Sequence, residues 1–144
     1  MATAIPYTFE ALVADRLATV LPSTVLLLRA SDIQALPRQY SQAVYVMPYD
    51  LAPTKRRRGE CMISESVTVV VATRNPSTQV TGEASRNEAG PLLKTIIEAL
   101  LGWVPGEPYA DVMLVNGPQP EHNAGFGYYP LAFETNYVLS GESR

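Results

Sequence analysis

A chain of 144 residues and 15.7 kDa is near the size of one ordinary domain and too short for two normal cores, so a single domain over 1–144 is expected. Hydrophobic residues make up 47% and charged residues 17% of the chain, against roughly 25% charged in typical soluble domains, which predicts a globular protein with part of its surface covered by partners. The net charge is -3, and without the run Lys55-Arg56-Arg57-Arg58 it falls to -7; with a pI of about 5.1 this argues against general nucleic-acid binding, which needs basic charge spread over a face.

The first residues, Met1 to Pro6, carry no basic segment and no long apolar stretch, so no export signal is expected. From Tyr7 to Leu21, Phe9, Leu12, Val13, Leu17, Val20 and Leu21 recur at three- and four-residue steps, the spacing of one helical face, with Thr8 as N-cap. Pro22 stops that helix, and Thr24 to Leu28 reads as a short buried strand or extended segment. Ser31 to Leu36 fits one helical turn closed by Pro37. Ala43 to Tyr49 is a strand rich in β-formers. Asp50 to Glu60 combines Pro, Gly and charge, and predicts an exposed hairpin-like loop longer than the usual two to five residues. Ile63 to Ala72 alternates with period two and becomes apolar on both sides, as a central strand does. Leu92, Leu93, Ile96, Ile97, Leu100 and Leu101 give the second helix its apolar face, with Gly102 as its stop. Pro91 either opens this helix irregularly or kinks a longer one from near Glu83, and the irregular start is the favoured reading. Val112 to Val115 is a short strand, and Tyr128 to Leu139 alternates regularly as a half-buried antiparallel strand. The order predicts an α+β domain in which two amphipathic helices pack on one face of a mostly antiparallel sheet.

Chemistry-bearing residues are few. Cys61 is the single cysteine, which excludes an intramolecular disulfide and fits a reducing compartment. It reads as a small residue near the core or, beside the basic run, as a reactive thiol. His122 is the single histidine and sits in the turn-rich stretch Asn116 to Gly125; it reads as a solvated loop histidine or, beside Glu121, as a base. A catalytic Cys61/His122 pair requires the two to meet in space. Gly125-Phe126-Gly127 lacks the later glycine and the helix of a phosphate cradle and reads as a turn before a strand. Carboxylates are scattered singly, with no spacing of a calcium loop or two-metal site. No catalytic, cofactor or metal residue is therefore assigned. The candidate protein-interface residues are Lys55, Arg56, Arg57, Arg58, Trp103 and His122. Adjacent cations repel one another, so the run is either solvated or matched by an acidic partner. Trp103, after the second helix, reads as folded onto its own core or as an interface anchor.

An N-terminal helix, the Pro-flanked Ala43-Val44-Tyr45-Val46 strand and a Val-rich strand ending in Thr73-Arg74-Asn75 are followed by Gly90-Pro91-Leu92-Leu93 through Leu100-Leu101-Gly102-Trp103-Val104-Pro105, then Val112 to Val115, then a last strand of the type Phe133-Glu134-Thr135-Asn136-Tyr137. In this order, over nearly the whole chain, they resemble the tail terminator proteins of long-tailed bacteriophages. The resemblance implies a structural virion protein, not an enzyme. It would form a homo-hexameric ring at the head-proximal end of the tail tube, stop tube polymerisation and face the neck or connector protein. It implies assembly in the host cytoplasm, residence in the virion, no membrane, no cofactor, and DNA passing through the ring without specific binding. Rival readings are another neck or tail ring, such as a head-closure or tube protein, a small nucleic-acid-binding module using Lys55 to Arg58, and a small enzyme using Cys61 or His122. Pro91 and the long 117–127 stretch match no feature of the family residue by residue, so no interface residue is carried over from it.

Overall fold

Alternating Val-rich segments place the sheet and two apolar stripes place the helices. The computed structural model describes residues 4–29, 41–74, 83–123 and 126–141. Its elements are α1 (Phe9–Ala18), β1 (Leu26–Arg29), β2 (Gln42–Arg57), β3 (Glu60–Arg74), α2 (Glu83–Leu100), β4 (Met113–Val115), β5 (Glu121–Asn123) and β6 (Phe126–Ser140). The predicted helical turn at 31–36 lies outside the described residues.

The six-stranded sheet runs β1-β2-β3-β6-β4, with β5 also paired to β6. Only β1 and β2 are parallel; the other pairings are antiparallel. β3 occupies one side of β6 along its whole length, so β4 and β5 share the other side, at Ala132–Glu134 and Phe126–Tyr128.

Register explains the core. Val44, Val71 and Tyr129 align across three strands, as do Val46, Val69 and Leu131, on the face that receives both helices. Phe9, Val13 and Leu17 of α1 and Leu92, Ile96 and Leu100 of α2 join them in one buried cluster with Val67 and Phe133. Each such side chain contributes about 1.5–3 kcal/mol by leaving water. Arg16 links the helices: its Nε donates to the Ala99 carbonyl at 3.1 Å, near the negative end of α2, and its guanidinium lies 5.5 Å from the Trp103 ring centre. The two helices therefore share one face, as the sequence predicts.

Two predictions need correction. α2 has no irregular start: it runs from Glu83 with Pro91 inside it. Proline removes the bond to the Asn87 carbonyl, but burial of Ala89, Leu92 and Ile96 on either side holds the helix together. Gly102 then takes φ +78, the left-handed conformation of a helix stop. The second correction concerns Asp50 to Glu60, which is not a long loop. β2 continues to Arg57 and β3 starts at Glu60, leaving only Arg58 and Gly59 as the turn, with Gly59 at φ +73.

Candidate assembly surface

Lys55 pairs with Met62, Arg56 with Cys61 and Arg57 with Glu60 across the hairpin, while β6 adds a third strand at Val138, Leu139 and Ser140. Register shifts at Pro48/Asp50 and Pro53/Lys55 absorb the two prolines, which sit where β2 has no outer neighbour among the described residues. The Gly141 amide donates to the Gly59 carbonyl at 2.7 Å and ties the end of β6 to the turn. The result is a three-stranded arm that runs beyond the helices. Lys55, Arg56, Arg57 and Arg58 are all exposed, and none forms an ion pair among the described residues. A groove of about 440 Å³ is lined by Lys55, Arg56 and Arg57 together with Glu60, the partly buried Cys61 and Met62, and Val138.

The arm joins the body at a buried polar pair. The Tyr137 hydroxyl donates to Glu65 Oε1 at 2.7 Å, and both residues are about 98% covered. Burial first, then the bond to Glu65 and its charge, push the Tyr137 phenol far above its ordinary value. Tyr109 stands edge-on to Tyr137, 5.4 Å between ring centres, and its hydroxyl meets Thr8 Oγ1 at 2.8 Å. Thr8 precedes α1 but does not cap it with its side chain, which donates instead to the Ile5 carbonyl. The turn so formed holds Tyr7 at φ 68 and leaves Ile5 and Tyr7 more than 60% exposed.

His122 belongs to strand β5 rather than to a loop. It is exposed, as predicted, yet its Nε2 lies 2.8 Å from the Tyr129 hydroxyl, with the rings edge to face. Gly127, opposite His122, is in strand β6 and not in a turn; a Cβ there would come within 2.7 Å of the Tyr129 hydroxyl. Trp103 is half-buried against the core, and its carbonyl accepts the Val112 amide at 2.8 Å.

These residues do not form one site. Cys61 pairs with Leu139 and His122 with Gly127, so twelve residues of β6 separate them, about 40 Å at strand rise. Within one chain Cys61 and His122 cannot act as a catalytic pair. Among the described residues, no group of three His, Cys, Asp or Glu side chains is placed to hold a metal ion. No described helix is long and apolar enough to cross a membrane.

The phage tail terminator protein family matches residues 4–143. This chain belongs to that family. No curated protein matches it. A chain from the structure described as the virion of a native gene transfer agent particle has a similar fold, with TM-score 0.63 and 16% identity over 96% of this chain and 100% of that one. The tail terminator is thus a structural protein of the virion tail, and the sequence-based expectation of a structural virion component is met. In this tail terminator the arm and the Glu65–Tyr137 junction are built by pairings distant in sequence, while the exposed Ile5–Tyr7 turn is closed locally by Thr8. Sequence reasoning found the cations but not the strands that carry them. Tyr137 and Glu65 gave no local signal, since each looks like one more residue of an alternating strand.

Proposed function

We propose that this tail terminator forms a homo-hexameric ring at the head-proximal end of the tail tube, ends tube polymerisation and presents a surface to the neck or connector protein. The family match over residues 4–143 carries the reading. On this reading residues 1–144 act as one domain, and DNA passes through the ring without specific binding. The exposed cations Lys55 to Arg58, with no ion pair among the described residues, support a contact role for the arm, because four adjacent cations are stabilised by an acidic partner. His122, at the far end of the sheet, is a second contact point in this reading. Trp103 contributes only the part of its indole that stays exposed, since the remainder packs against the core.

Native mass spectrometry over a wide concentration range, with negative-stain images of each species, tests the proposal. A closed six-subunit ring with a central hole is expected. Filaments would replace it with a tube-protein reading. A monomer at all concentrations that purified tail tubes fail to assemble into a ring would overturn it.

A further inference from the structure

The face of the sheet opposite α1 and α2 carries a second groove, lined among others by Met47, Tyr49, Val70, Tyr128 and Pro130, with Glu121 at one end. Glu121 lies close enough for its charge, after burial, to raise the Tyr128 phenol above its ordinary value. At the other end the register aligns Asp50, Ser66 and Glu134 across β2, β3 and β6 on this same face. Tyr49 in the groove is 50% exposed. An apolar trough is thus bracketed by carboxylates.

The arm offers the opposite chemistry. Past Glu65 and Tyr137 neither α1 nor α2 covers it, so its row Arg56, Cys61, Leu139 continues the helix-side face beyond both helices. Cys61, Ile63 and Leu139 are only partly buried and lie outside the core cluster. From Lys55 to Glu60 the arm holds four cations and one carboxylate, net +3, which leaves -6 on the rest of a chain of net -3.

We propose that the arm of one copy lies across this groove on a second copy, its apolar row against Tyr49 and Tyr128 and its cations against Asp50, Glu121 and Glu134. This rests on the ring reading above and names the contact that would build the ring. Charge complementarity selects a second copy of this chain: the cations form no ion pair among the described residues, while the carboxylates and half-covered aromatics stand on a different patch. Donor and acceptor patches that differ make a head-to-tail contact, the kind that closes into rings, whereas a contact of like patches would stop at two. On the acceptor face Ala43, Tyr45, Val70 and Ala72 are already buried, so the open part of the groove is the stretch beside Tyr49 and Tyr128.

The test uses the native Cys61 as a probe. Gln119 lines the acceptor groove and is exposed, so the full chain carrying Gln119→Cys is oxidised with copper phenanthroline and run on a denaturing gel without reductant. The expected product is a ladder of cross-linked chains reaching six, absent when Cys61→Ala is added. Arg56→Glu or Glu121→Lys alone should each lower the cross-link yield about tenfold or more, and the two together should restore it. Circular dichroism of each variant separates this from a folding defect. Dimers that persist with Cys61→Ala would overturn the proposal in favour of a like-patch contact. A closed ring without cross-links would overturn this contact alone. A ladder running past six into open chains would keep the contact and overturn the six-fold ring, and neither ring nor ladder would overturn both.

Discussion

Val67, Val69 and Val71 lie fully covered beneath α1 and α2, whereas toward the turn of the same hairpin Lys55 to Glu60 stand exposed. The backbone is alike in both places, an antiparallel ladder of β2, β3 and β6. What differs is what covers it. In the body, apolar burial stabilises the strands; in the arm, the ladder itself and the third strand do most of it, since two strands alone are marginal in water. A protein can therefore extend a sheet past its core when the extension has three strands, and the residues freed from packing become available for contacts.

Truncation should separate the two regions most sharply. Phe133→Ala in the body is expected to cost about 3–5 kcal/mol, while Val138→Ala in the arm, at a side chain 46% exposed, should stay within about 0.5 kcal/mol, both read from denaturant unfolding. Equal losses would erase the distinction.

The junction should behave as an intermediate case. Tyr137→Phe leaves the buried Glu65 without its donor and is expected to cost about 1–3 kcal/mol at neutral pH. The same pair sets an alkaline dependence. Because the folded value of Tyr137 lies above the unfolded one, as for Tyr45 and Tyr128, the folded state holds more protons at high pH. Stability is complete below the ordinary phenol value of about 10 and declines as pH rises through the folded values. Unfolding curves at rising pH should show this decline, and Tyr137→Phe should make it shallower.

The smallest change in stability should come from the arm tip. Replacing Lys55, Arg56, Arg57 and Arg58 together by Ala is expected to shift unfolding by no more than about 0.5 kcal/mol, since exposed charges away from buried partners matter little. The same variant should weaken assembly at physiological salt, read by native mass. Unchanged assembly would leave the arm as a solvated ornament of the fold.

Much of the fold was legible because its signals are local. The stripe Leu92, Ile96, Leu100 and the alternation of Val67, Val69 and Val71 are set by the periods of helix and strand, and Gly102 stops α2 at any packing. Pro91 was misread because a proline's cost is local but its compensation, burial of Ala89 and Leu92, is tertiary. The basic run was misread for a related reason. Lys, Arg, Pro and Gly together have low strand propensity, yet residues 60–62 opposite them are paired on their other side by β6, whose sequence lies about eighty residues away.

Residue chemistry and patterns within a few turns of chain were enough for both helices, the Val-rich strands, the family and the scarcity of catalytic groups. Tertiary pairing was needed to show that the cations ride on a three-stranded arm, that Cys61 and His122 lie at opposite ends of β6, and that Glu65 and Tyr137 close the joint between arm and body. Those facts depend on strand register, which is fixed when distant segments bury their apolar faces against one another.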